Sequence, residues 1–367
     1  MATEADLTEA LRDVSDPELG WSIVDAGMVR SVRTEGGSAT VEVALPAEEY
    51  RPRELLAERI REALAPVSGP DAVHVGFSVM TEVEQKALMA RLRPAGSDGG
   101  KRDNPFTHSG TRVLAISSGK GGVGKSSVST NLAIALAGAG YDTAAVDADV
   151  WGFSMPKMLG VDRPPLVVGE VIVPPSSHGV RLISMGFFAR EDQPVIWRGP
   201  MLHKALEQFL TDVYWGEPKF LVIDMPPGTG DVSLSMAQFL PRAEVVVVTT
   251  PQPAAQRVAQ RAAYMAEKVN LSVVGVIENM SWFRGDDGKA YEIFGRGGGA
   301  ELARTLDVPL LGQIPLVPAL REGGDEGRPI VVEDPADEAS VAFTEIARKV
   351  AEELAPKRIY RKELRVM

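Results

Sequence analysis

The chain has 367 residues, 44% hydrophobic and 24% charged, with a formal net charge of −11 and no cysteine. That length exceeds one ordinary core and points to two domains, while the balance excludes fibrous and disordered classes. The negative charge disfavours nucleic-acid binding through bulk electrostatics, and without thiols neither a disulfide nor a thiolate metal site can form. The acidic start MATEADLTEAL lacks the basic and apolar regions of a signal peptide, and no apolar run approaches the roughly 18 residues of a membrane span. A soluble, cytoplasmic protein is the expectation.

Residues 1–93 read as a small α/β domain. A helix is predicted over 4–13, then strands over 26–34 and 38–45 turned by Gly36-Gly37. Leu55, Leu56, Ile60 and Leu64 recur at helical spacing in 51–64, and 73–79 reads as a further strand. Residues 94–110, rich in Gly, Pro, Ser and charge, read as a linker. From 111 to 356 apolar strands alternate with helices. The strands are predicted at 113–117, 143–147, 180–184, 220–224, 245–250, 273–277 and 310–313, the helices at 126–139, 201–213, 253–269 and 336–354. The fold class is therefore α/β: a doubly wound, mainly parallel sheet preceded by a small domain, with ligand at the carboxyl ends of the strands. The basic tail 357–367 reads as a frayed, solvated end in preference to a membrane or partner anchor.

The strand ending at Ser117 leads into Gly119-Lys120-Gly121-Gly122-Val123-Gly124-Lys125-Ser126 and then a helix that continues through Ser127. This is G-x-x-x-x-G-K-[ST] in the setting it requires. Glycines let successive amides turn toward phosphate oxygens, and the helix start adds partial positive charge. Lys125 can bridge β- and γ-phosphates, and the Ser126 hydroxyl can ligate Mg²⁺. Lys120, between two glycines, can extend freely, which leaves a solvated loop lysine and a nucleotide contact both open. Asp147 and Asp149 close a strand: Asp149 is placed to orient the attacking water, Asp147 for an outer contact to Mg²⁺. The pattern FLVID ending at Asp224 gives a carboxylate that holds Mg²⁺ through water. After it, Pro227, Gly228, Gly230 and Asp231 form a loop able to take two positions with the γ-phosphate, although Asp231 also fits a helix cap. Asn279 ends a strand with an amide suited to adenine, and Pro251-Gln252-Pro253 can wall the purine with backbone carbonyls.

The stretches SGKGGVGKSSVSTNLA at 118–133, DADVWGFSMPKMLG at 147–160 and WRGPMLHKALEQFL at 197–210 are distinctive. With IDMPPGTGD at 223–231, TTPQ at 249–252, ENMS at 278–281 and IFGRGGGAELA at 293–303, they resemble the Mrp/ApbC family of iron–sulfur cluster carrier ATPases. KGGVGKS itself resembles the deviant Walker A of the MinD/ParA class, which implies that Lys120 reaches a partner's nucleotide across a dimer. The resemblance covers residues 110–350, and 1–93 resemble the small domain that precedes this ATPase in many members. It implies ATP and Mg²⁺ as ligands, slow hydrolysis by a nucleotide-sandwiched homodimer, and apoprotein clients or iron–sulfur assembly factors as partners.

The sequence departs from that family where a Cys-x-x-Cys pair is expected after ENMS. Residues 282–292 read WFRGDDGKAYE, and the cysteine expected near LPAEE at 45–49 is also missing. Asp286 and Asp287 are hard oxygen donors unsuited to iron sulfide. His74, His108, His178 and His203 show no ligand spacing. Thiolate binding of a cluster is excluded in this chain. A carrier role then needs oxygen or imidazole ligands, ligands from a partner, or action as an assembly-assisting ATPase. The alternative is a cluster-independent MinD/ParA-like switch that positions or remodels a partner. A small-molecule kinase or ligase is disfavoured, because no acceptor-binding motif stands out.

Overall fold

The computed structural model describes residues 3–35, 38–68, 72–92, 104–188, 199–228 and 231–354. The Gly36-Gly37 turn, the linker up to Asp103, Trp197-Arg198, Gly230 and the tail 357–367 lie outside these. Helix α1 (Glu4–Ala10) begins where the Thr3 side chain and Asp6 cap one another reciprocally. β1 (Val29–Glu35) and β2 (Ser38–Leu45) pair antiparallel; α2 (Arg53–Ser68) crosses to β3 (Val73–Val79), which runs parallel to β2. α3 (Glu82–Leu92), passed over in the sequence reading, follows and buries Leu88 and Leu92. In α2 the buried stripe is Leu56, Ile60 and Leu64; Leu55, one residue off that i, i+4 row, is 45% exposed.

The predicted linker is shorter than expected. Asn104 Nδ2 donates to the Phe239 carbonyl at 2.7 Å and Phe106 is buried, so 104–110 is already part of the larger unit. There β4 (Arg112–Ser118) leads to α4 (Lys125–Gly138), β5 (Thr143–Asp147) and the short α5 (Met155–Met158). A small antiparallel hairpin of β6 (Leu166–Val168) and β7 (Val171–Val173) precedes β8 (Ser176–Ser177), β9 (Val180–Ser184) and α6 (Gly199–Thr211). β10 (Phe220–Asp224), α7 (Asp231–Phe239), β11 (Glu244–Thr249), α8 (Pro253–Lys268) and β12 (Ser272–Asn279) continue the alternation. A hairpin of β13 (Phe283–Arg284) and β14 (Ala290–Tyr291) comes next. It is followed by α9 (Gly298–Leu306), β15 (Leu310–Ile314), α10 (Pro318–Glu326), α11 (Ile330–Glu333) and α12 (Glu338–Arg348).

The large sheet has the order β15-β12-β11-β4-β10-β5-β9-β8, and every pair from β15 to β9 is parallel. β4, β5, β10 and β11 are buried along their whole lengths, as strands covered on both faces must be. The β4–β10–β5 register sets Asp224 opposite both Ile116 and Asp147, which brings two carboxylates to adjacent strand ends. Among the described residues no helix is long and apolar enough to cross a membrane.

The small unit is not contiguous in sequence. It gathers residues up to 103 together with 163–176 and 208–216. A three-stranded sheet needs its apolar face covered, and segments that lie in sequence between strands of the large sheet supply part of that cover. Val168 and Val173 lie in the same core as Leu7, Leu11, Ile23, Val41 and Val43. The Ile172 amide donates to the Asp212 carbonyl and the Tyr214 amide to the Ile172 carbonyl, while Trp21 meets Tyr214 edge-on at 6.2 Å. The stretch DPELG at 16–20 anchors one end. Asp16 Oδ1 accepts from the amides of Glu18 and Leu19 at 3.0 and 2.8 Å, and Tyr50 donates its hydroxyl to the same carboxylate. Glu18 faces Arg163 Nε at 3.0 Å.

Burial, opposed by Arg163, pushes the Glu18 carboxyl from 4.5 up to about 7. An acid whose folded pKa is raised contributes stability fully below its unfolded pKa, and that contribution is lost as pH rises through the folded value. Thermal unfolding of the small unit, followed between pH 5 and 8, should therefore decline more steeply in wild type than in Glu18→Gln. Equal slopes would contradict the assignment.

Candidate functional site

β4 delivers the chain to a loop whose glycines do two different jobs. A Cβ on Gly119 would lie 2.2 Å from the Val258 carbonyl carbon and 2.3 Å from the Ala259 nitrogen, so α8 packs directly on the loop's first residue. Gly124, at φ +78°, sits in the left-handed region before α4, and a Cβ there would strike Asn279 Nδ2 at 2.2 Å. Gly121 and Gly122 meet nothing within 4 Å, which leaves their backbone open to a ligand. Val123 is buried and anchors the loop, its carbonyl accepting from Asn279 Nδ2 at 2.9 Å.

Lys125 opens α4 with only 6% of its side chain exposed; its ammonium lies 2.6 Å from Asp224 Oδ2 and 3.7 Å from Asp149 Oδ2. Ser126 donates to Asp224 Oδ2 at 2.6 Å and Ser129 to Oδ1 at 2.5 Å. A hydroxyl and a carboxylate side by side at a phosphate loop suit a hard divalent cation completed by phosphate oxygens and water. Among the described residues no three side chains form a closed metal cage. Ser127 follows on the first turn of α4, where its carbonyl accepts from Asn131.

Asp147 closes β5 beside Asp224. Its carboxylate accepts from the Asp149, Ser154 and Met155 amides and from the Ser184 hydroxyl, at 3.0 to 3.2 Å. Burial first, then the neighbouring Asp224 carboxylate, raises its pKa to about 7. Both oxygens hold the loop after β5, just as both oxygens of Asp224 are taken by Lys125, Ser126 and Ser129. Asp149 keeps one oxygen toward Lys125 and takes the Gly152 amide on the other.

On the base side, Asn279 Oδ1 is buried and has no hydrogen-bond partner among the described residues, an acceptor suited to an exocyclic amine. Pro251 is buried, and its carbonyl lies against Gly298, where a Cβ would come within 2.3 Å. In the switch stretch, Pro227 is exposed and Gly228, at φ +98°, donates its amide to the Ser118 carbonyl at 2.9 Å. Helix α7 starts at Asp231.

Glu278 was not foreseen. It is buried, its Oε1 accepting from Ser281 and Gln313 and its Oε2 from the Gly299 amide. A Cβ at Gly299 would collide with Glu278, so the last glycine of IFGRGGG lets α9 close on β12. The replaced cysteine segment is the β13–β14 hairpin. Asp287 accepts from the Lys289 amide and the Tyr291 hydroxyl, while Trp282 and Arg284 both donate to Glu338. Asp286 is exposed. A cavity of about 210 Å³ lies beside it, lined by Glu278, Trp282, Glu292, Arg296 and Gln313 among others. Of the histidines, His203 pairs with Ser235 and stacks near Phe239, and among the described residues none belongs to a group of three His, Asp or Glu side chains able to hold a metal.

Residues 110–351 match a family model described as NUBPL iron-transfer P-loop NTPase, and residues 4–77 match one described as iron-sulfur cluster assembly protein. The chain belongs to the NUBPL iron-transfer P-loop NTPase family. An "Iron-sulfur cluster carrier protein" of Bacillus subtilis is 52% identical over 326 residues, 86% of this chain and 89% of that one. One of Mycobacterium leprae is 45% identical over 335 residues, 89% and 87% of the two chains. Among solved structures, the Archaeoglobus fulgidus nucleotide-binding protein in complex with ADP matches with TM-score 0.54 at 33% identity, covering 63% of this chain and 91% of its own. The Pyrococcus furiosus cell division ATPase MinD matches with TM-score 0.51 at 27% identity, covering 66% and 99%. The α/β P-loop fold and the family resemblance drawn from the motifs both hold.

Because Gly119 touches backbone and Gly121 faces open space, the same substitution should act with very different strength at the two. Gly119→Ala should lower stability by about 1–3 kcal/mol, as overpacking does, and Gly121→Ala by no more than about 0.5. Thermal unfolding without nucleotide checks this, and equal shifts would contradict the loop geometry.

Proposed function

We propose that this protein is a cytoplasmic ATPase whose Mg-ATP cycle assists assembly or transfer of iron–sulfur clusters to apoproteins, acting as a nucleotide-gated homodimer. The observation that carries the reading is the buried ammonium of Lys125 held by Asp224 and Asp149 beneath an open glycine loop. A triphosphate entering the loop replaces those carboxylates as the partner of Lys125 and meets the exposed amides of Gly121 and Gly122. Bound at Ser126 and Asp224, Mg²⁺ would neutralise charge on the β- and γ-phosphates. Asp149, freed from Lys125, orients the attacking water, and Asn279 reads the adenine edge. Lys120 reaches the partner's nucleotide, while Gly228 moves the switch loop.

The cluster is cargo, and the chain cannot hold it by thiolates: there is no cysteine in 367 residues. The hairpin at 282–292 closes on itself through Asp287 instead of presenting ligands. The reading therefore assigns the cluster's ligands to other proteins and the ATP-driven step to this one. The same lack of thiolates favours a second reading, a cluster-independent switch of the MinD/ParA kind that positions a partner.

Lys125→Ala should abolish Mg-dependent ATP binding in calorimetry; retained affinity would end the P-loop assignment. Asp149→Ala should bind ATP normally and lose turnover by about a hundredfold or more, in the range of removing a general base. After anaerobic incubation with iron and sulfide the protein alone should show no cluster absorbance, yet with ATP it should accelerate transfer from a loaded donor to an apoprotein. Absent acceleration would sink the carrier reading in favour of the switch.

A further inference from the structure

The two lysines of the phosphate loop are held in opposite ways. Lys125 is buried between two carboxylates, whereas Lys120 is half-buried and its ammonium bonds the neutral side-chain oxygen of Gln252 at 3.3 Å. Lys120 forms no ion pair among the described residues. Gln252 occupies the residue before α8, and its side chain makes no capping bond to the helix, so it is spent on the lysine.

The surroundings tie this contact to two neighbouring elements of the site. The Ser118 hydroxyl donates to the Lys120 carbonyl at 3.1 Å, and the Ser118 carbonyl accepts the Gly228 amide at 2.9 Å, which links Lys120 to the switch loop. On the other side, the second turn of α8 packs backbone to backbone on Gly119. Gln252 is thus fixed relative to the loop while Lys120, flanked by Gly121 in open space, is not. A hydrogen bond from an ammonium to a neutral amide is weaker than an ion pair and gives way to a phosphate oxygen.

We propose that Gln252 is a positioning residue that parks Lys120 within its own protomer and releases it when a triphosphate is offered, setting the threshold for the lysine's action on a second copy's nucleotide. This inference rests on the role given to Lys120 above. Gln252 touches neither nucleotide nor water in that role; it acts through the lysine. A carboxylate of the same shape would hold the lysine too tightly, and an isosteric apolar side chain would not hold it at all.

The test measures steady-state ATPase activity, ATP affinity by calorimetry and ATP-dependent dimerisation by light scattering on the full chain. Gln252→Glu should lower kcat by about fivefold or more and raise the ATP concentration needed for dimerisation, with monomer ATP affinity within about twofold of wild type. Gln252→Met should shift dimerisation to lower ATP with kcat equal to or above wild type. A merely structural role would lower the melting temperature of both variants without this opposed split, and would overturn the proposal. If Lys120→Ala loses turnover while both Gln252 variants match wild type, this inference alone falls. If Lys120→Ala turns over normally, the reading beneath it falls as well.

Discussion

A buried ammonium needs a counter-charge, and the architecture is arranged around supplying one to Lys125. Removing Lys125 from water without Asp224 would cost several kcal/mol, so the pair stands or falls together. The parallel sheet places Asp224 and Asp147 at adjacent strand ends, where two carboxylates would repel. The fold resolves this by giving Asp224 to the lysine and two serines, and Asp147 to backbone amides and Ser184. The strain of two like charges is thereby converted into a shaped loop on one side and a poised cation-and-phosphate site on the other.

Close approach does the rest. Gly119 lets α8 touch the phosphate loop, Gly124 lets Asn279 sit under it, and Gly298 and Gly299 let α9 close on β11 and β12. Packing of this kind couples elements that lie far apart in sequence. A displacement of the loop is felt by α8 and by the switch stretch through Ser118, without a dedicated relay.

Much of this was legible in the residues. Strands at 143–147, 180–184 and 220–224 match the apolar runs that announce them, because a doubly covered strand has nowhere to place a polar side chain. The phosphate loop was legible because its spacing is dictated by amide geometry. What escaped is nonlocal. Nothing in LVVGEVIV at 166–173 tells that this hairpin closes the core of a domain begun 160 residues earlier, although the run itself reads as a turn between apolar strands. The donors that surround Asp147, Ser184 among them, come partly from distant chain and leave no local sign, and Leu55 looks like core until the i, i+4 row is traced. The side-chain roles of Glu278 and Gln252 escaped although both stand in quoted motifs, since a single Glu or Gln does not reveal which group it will meet.

The threading of 163–176 and 208–216 into the small unit also fixes an order of events during synthesis. The first 92 residues leave the ribosome with Leu7, Leu11, Leu56 and Ile60 already available to pack on the three strands, while Val168, Val173 and Tyr214, which complete that core, have not yet been made. Amino-terminal domains commonly finish folding first. Here the last part of the small unit's core can be seated only after 208–216 have emerged, when much of the larger unit's chain has already been made.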